Sequence, residues 1–150
     1  MIKAALALVA LLALASAGFT SKAWAEPDPK VLAYTLPDKL DWKGDPKFGP
    51  LSVNLWGDPA KPGPYAILVK WPPHMMSRPH THPYDRHITV VSGVWWVGTG
   101  KTYDPASTTP MPPGTVVTHF AGQPHYDGAK DEPCIIEITG EGPATTVPAK

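Results

Sequence analysis

All six histidines of this 150-residue chain fall between His74 and His125. Two of them form His80-Thr81-His82. On an extended segment, residues i and i+2 share a face, so both imidazoles can converge on one point. Pro79 and Pro83 flank the pair and favour extended backbone there. His87 follows a few residues later at the start of an apolar run, and His125 stands just beyond a Gly/Pro turn. Neutral imidazole is the commonest nitrogen donor to Zn, Fe, Mn, Cu and Ni. His80, His82, His87 and His125 would together make a divalent-metal site whose ligands carry no charge. A lone histidine usually satisfies itself by hydrogen bonding. A His-x-His pair with two more histidines is harder to read that way.

Other polar residues stand near these donors in sequence. His119 ends an apolar run six residues before His125 and reads as a rim or hydrogen-bonding residue; His74 has a similar status. Arg86 and Asp85 read by default as solvated charges, with contact to an anionic substrate or pairing with each other as the alternatives for Arg86. Tyr126, beside His125, is a candidate acid/base, and Tyr126-Asp127 can brace a ligand imidazole. Trp95 and Trp96 point to opposite faces of their strand, so one should line the interior and one should lie outside. Cys134 sits in an apolar run and reads as a small core residue. With one cysteine the chain has no intrachain disulfide and no Cys-rich zinc site.

The elements that must position these residues are short strands. Twenty prolines argue against a helical bundle, and no sustained 3.6-residue apolar period appears after the leader. Strands are expected at 51–56, 65–71, 87–92, 94–97, 115–119 and 134–139. A hairpin is expected to turn at Ser92-Gly93, and a polar loop to fill 102–113. Short strands separated by Pro/Gly turns predict an all-β antiparallel sandwich or barrel. Residues 26–50, rich in Pro, Asp, Lys and Gly, read as an extended N-terminal arm with a short turn near Pro37-Asp38-Lys39-Leu40. Trp42 and Phe48 are its candidate anchors.

Residues 1–25 read as a secretory signal peptide. Lys3 precedes an apolar run over 4–17, and Ala23-Trp24-Ala25 is a small-x-small cleavage site. The run is short for a membrane span, and a retained membrane anchor is the alternative reading. Cleavage after Ala25 is expected, giving a bacterial periplasmic or secreted protein with no membrane attachment. The whole chain has 13 basic and 13 acidic residues; loss of Lys3 and Lys22 leaves a net charge of −2. Without a basic excess, a nucleic-acid partner is not expected.

The histidines and turns together resemble the cupin family over about residues 50–142. Its first motif is His-x-His, three or four residues, a Glu, and a Gly further on. Here His80-Thr81-His82 fits, with His87 in the Glu place and Gly93 following after five intervening residues instead of the usual six. The Gly expected before the first His is His74. The second motif is matched in spacing by Gly114, Phe120-Ala121-Gly122 and Gln123-Pro124-His125. Phe120 stands for the motif's Pro and Ala129 for its final Asn. The resemblance implies a double-stranded β-helix, or jelly-roll, barrel over 51–150. It also implies one mononuclear divalent metal on His80, His82, His87 and His125. Mn or Fe is favoured, with Zn, Ni or Cu as alternatives. If His87 instead lies beside the ligands, a three-histidine site remains.

The resemblance further implies a small-molecule enzyme. A dioxygenase-like oxidoreductase acting on an oxygen-rich organic substrate is favoured; a lyase, an isomerase or a non-catalytic metal or ligand carrier is the alternative. Small proteins of the family commonly form homodimers through sheet edges, and the arm at 26–50 is a candidate for swapping.

Overall fold

The computed structural model describes residues 25–150, so the leader lies outside the described residues except for Ala25. The chain divides after Thr35. In the described part of the first unit, the Val31 and Leu32 amides close a turn on the Asp28 carbonyl. The second unit, 36–150, carries the histidines.

Eleven strands are formed among the described residues: β1 (Leu51–Trp56), β2 (Gly63–Trp71), β3 (Met75–Met76), β4 (His80–Thr81), β5 (Arg86–Ser92), β6 (Trp95–Thr99), β7 (Thr109–Met111), β8 (Val116–His119), β9 (His125–Ala129), β10 (Cys134–Gly142) and β11 (Val147–Pro148). Every pairing is antiparallel. One sheet runs β1-β2-β10-β5-β8 and the other β11-β4-β9-β6-β7, with β3 also paired to β9. The all-β antiparallel expectation holds. No helix among the described residues is long and apolar enough to cross a membrane.

Alternation along the strands builds the interior. On β2, β5 and β10, every second residue is apolar and turned inward: Val69 and Trp71, Ile88 and Val90, Cys134, Ile136 and Ile138. They pack with Trp95 and Val97 of the other sheet into one core. Burying such side chains contributes about 1.5–3 kcal/mol each. The outward residues of β5, His87, Thr89 and Val91, are exposed, while those between the inward residues of β2 and β10 are half-buried.

The hairpin expected at Ser92-Gly93 does not form. β5 pairs with β10 and β8, whereas β6 pairs with β9 and β7, so the turn carries the chain from one sheet to the other. Gly93 allows this corner. Its φ is +68°, and a Cβ there would collide with the Pro133 carbonyl and sit 2.9 Å from the Cys134 Cα. The loop expected over 102–113 contributes β7 at a sheet edge.

The arm's second half forms the expected turn at Pro37–Lys39, and Lys43 bridges to Ser52 of β1. Phe48 is 87% exposed and anchors nothing, while Trp42 is half-buried with the Lys70 ammonium 5.9 Å from its ring.

Candidate metal centre

Register explains how the imidazoles meet. β4 pairs with β9 with His80 directly opposite His125. His82, two residues along, points the same way as His80. The His80 ring lies 4.8 Å from that of His82 and 4.5 Å from that of His125, and His82 and His125 are 5.2 Å apart. All three residues are buried, and one ring nitrogen of each lies within 4.8 Å of the other two.

The hydrogen bonds decide which nitrogen is free. His80 Nδ1 is 2.7 Å from the Arg78 carbonyl, His82 Nδ1 2.8 Å from that of Thr145, and His125 Nδ1 3.0 Å from that of Gln123. A carbonyl can only accept, so each Nδ1 carries the proton and each Nε2 keeps its lone pair. The Nε2 atoms of His82 and His125 are sealed from solvent without any partner. An unpartnered buried acceptor is costly, and convergent ones are what a cation would satisfy. Burial, then the Arg86 charge, lowers the His82 pKa to about 3. Burial is also the main cause that lowers that of His125. His82 and His125 therefore favour the neutral form, the one that binds metal. The residues fit a divalent transition metal.

His87 is not part of this group. It projects from the outer face of β5, is exposed, and its Nδ1 lies 3.3 Å from the Thr118 hydroxyl. Period-two alternation sends its neighbour Arg86 inward instead. The spacing to Gly93 carried that signal: counting from Arg86, the glycine follows after the usual six residues. The four-histidine set with His87 is thus replaced by His80, His82 and His125, with Arg86 in the place of the motif's Glu.

Across the interior, β5 pairs with β8 with Arg86 opposite His119. An Arg86 terminal nitrogen lies 3.4 Å from His119 Nδ1. Guanidinium only donates, so His119 Nδ1 accepts and its proton sits on Nε2. That Nε2 is buried without a partner, and the ring is 3.7 Å from that of His125. Burial, then His125 and Arg86, lowers the His119 pKa to about 2. His119 thus brings a neutral N–H donor to the edge of the cluster. His74 is exposed in a turn away from it, with φ +60° and its amide on the Lys130 carbonyl.

Tyr126 is not positioned for acid/base chemistry at this cluster. It alternates away from His125, its ring lies over Gly98, and its hydroxyl donates to the Asp104 carbonyl at 2.9 Å. It pins the loop after β6. Asp127 faces inward but braces no imidazole. Its Oδ1 accepts from the Ser77 hydroxyl at 3.0 Å and its Oδ2 from the Trp95 indole at 3.1 Å. Trp95 is the interior tryptophan; Trp96 is half-buried beneath the Lys130 ammonium, 3.8 Å from its ring.

A cavity of about 400 Å³ opens against His80 and His82. Ile67, Val69 and Trp71 of β2 and Ile136 and Ile138 of β10 form its apolar wall, with Arg86 and Asp127 also reaching it. Arg86 does not pair with Asp85, which is exposed and accepts from the Ala121 amide at 2.7 Å.

No protein-family model and no curated protein matches the sequence. Solved structures do resemble it. An uncharacterized conserved protein with a double-stranded beta-helix domain from Klebsiella pneumoniae is 20% identical, with a TM-score of 0.54 over 69% of this chain and 86% of that one. The polyketide cyclase RemF from Streptomyces resistomycificus is 14% identical, with a TM-score of 0.64 over 79% of this chain and 86% of its own. The DMSP lyase DddQ from Ruegeria pomeroyi is 18% identical, with a TM-score of 0.57 over 74% of this chain and 63% of its own. At these identities the likeness is one of fold.

Proposed function

From a double-stranded β-helix of the cupin kind, we propose an exported, mononuclear metal-dependent enzyme that binds a small organic substrate through its oxygen atoms. One observation carries this reading: three buried imidazoles converge beside a cavity of about 400 Å³. A divalent transition metal held by His80, His82 and His125 would supply polarisation of a bound oxygen, activation of water or, if redox-active, capture of dioxygen. Mn or Fe is favoured, with Zn, Ni or Cu as alternatives. Three protein donors are fewer than a closed structural site employs, which favours an enzyme over a carrier. The carbonyl partners of the three Nδ1 atoms hold the rings in one tautomer and one orientation. The apolar wall excludes water from the bound substrate, and the His119 Nε2–H is placed to donate to an oxygen at the cluster's edge.

Dioxygenase-like oxidation is the first reaction class proposed. Lyase, isomerase or cyclase chemistry is the second, favoured by the activities of RemF and DddQ, whose folds this chain resembles. The test is elemental analysis of the full chain purified from its own compartment, followed by oxygen-uptake assays. About one metal ion per chain is expected, and stray metal alone would overturn the proposal. Turnover with oxygen uptake selects the first class; turnover without it selects the second. For export, N-terminal sequencing of the mature protein should begin at Glu26; an intact Met1 in the purified protein would refute cleavage.

A further inference from the structure

Arg86 is an inward-facing cation that forms no ion pair within 4 Å among the described residues, Asp127 being its charged interior neighbour. Its guanidinium stands in the cavity, and its Nε is sealed from solvent with no hydrogen-bond partner. None of the salt bridges among the described residues includes it; those present join exposed lysines to aspartates. The nearest interior carboxylate, Asp127, is already engaged by Ser77 and Trp95. Its side chain reaches His119 Nδ1 at 3.4 Å and lies close to the Tyr65 hydroxyl, neither of which carries charge. One further donor ends unpartnered beside it, the Trp71 indole N–H in the cavity wall. Buried charge is normally paired, and buried donors are normally satisfied. An unpaired planar guanidinium with a free donor beside it is the complement of a carboxylate, which accepts several hydrogen bonds and takes a bidentate fork. The rest of the wall is apolar.

We infer that the cavity binds a small monocarboxylate, its head on Arg86 and its apolar body against Ile67, Val69, Ile136 and Ile138. The inference deepens the proposed function by naming the substrate class, and it rests on that reading only for turnover. Binding itself needs Arg86 and not the metal.

The experiment is calorimetric titration of the full chain, as isolated and again after chelation. The probes are phenylacetate, acetate and the neutral analogue phenylacetamide. Phenylacetate is expected to bind at least about tenfold more tightly than acetate, through its buried ring, and than the amide, through the charge. Arg86→Gln should weaken phenylacetate by about tenfold or more, and Arg86→Lys by less, because it keeps the charge and loses the fork. If Arg86→Gln does not fold, the comparison of acid with amide on the unaltered chain still decides. Equal binding of acid and amide, or undiminished binding to Arg86→Gln, overturns the inference. Binding that survives in Arg86→Gln and disappears on chelation assigns the carboxylate to the metal, which overturns the inference and leaves the proposed function standing. A chain that binds phenylacetate through Arg86 but carries no metal supports the inference and refutes the proposed function.

Discussion

His82 and His87 separate two roles that their spacing does not. His82→Ala removes one of three convergent donors, so metal content should fall tenfold or more, on the order of what loss of a ligand costs. His87→Ala removes an exposed side chain on the outer face of β5 and should leave metal content within error of wild type. Elemental analysis of both variants checks this, and metal loss in His87→Ala would return it to the ligand set. His80-Thr81-His82 was legible because two-residue spacing forces two side chains to one face of any extended segment. His87 was misread because its face depends on where the strand starts. A shift of one residue exchanges inside for outside, and Arg86 took the inward position.

Strand pairing decided what the loops and corners could do. Gly93 turns the chain between sheets at positive φ, with backbone where a Cβ would go. Gly93→Ala should therefore destabilise the fold by about 2 kcal/mol or more, read as a lowered denaturation midpoint. An unchanged midpoint would mean the corner tolerates a side chain. Tyr126→Phe removes the hydroxyl that bonds the Asp104 carbonyl and should cost about 1 kcal/mol of stability, leaving metal content and turnover intact. Loss of turnover at unchanged stability would restore Tyr126 to the chemistry. β2, β5 and β10 were legible because their apolar alternation has period two. β9 was missed: His125-Tyr126-Asp127-Gly128-Ala129 has no apolar alternation, yet every residue of it is buried between neighbours.

Burial in the folded chain disfavours the charged form of interior histidines. The unfolded chain protonates its histidines near pH 6.5, whereas burial holds folded His82 and His119 neutral down to about 3 and about 2. The unfolded state then binds more protons between these values, so stability present above about pH 6.5 is lost as pH falls toward 3. Urea midpoints of the metal-free chain should drop between pH 7 and pH 5; a flat profile there would refute the shifts. Burial, then the charges of Asp127 and Glu132, pushes the Cys134 thiol up to about 12. The native protein should resist iodoacetamide at pH 8 and react once unfolded; alkylation at the rate of a free thiol would place Cys134 outside the core.

Composition and turn chemistry by themselves determined an antiparallel β domain, the convergence of His80 with His82, and the involvement of His125. These depend on local periodicity and on motif spacing, which the chain carries in order. The tertiary structure alone decided that His80 faces His125, that Arg86 faces His119, and that Tyr126 turns to a loop instead of the cavity. Those outcomes follow from register between strands distant in sequence, where burial and pairing of the whole sheet outweigh any local preference. The six histidines divide accordingly: three gather with free lone pairs, one contributes a donor, and two remain outside.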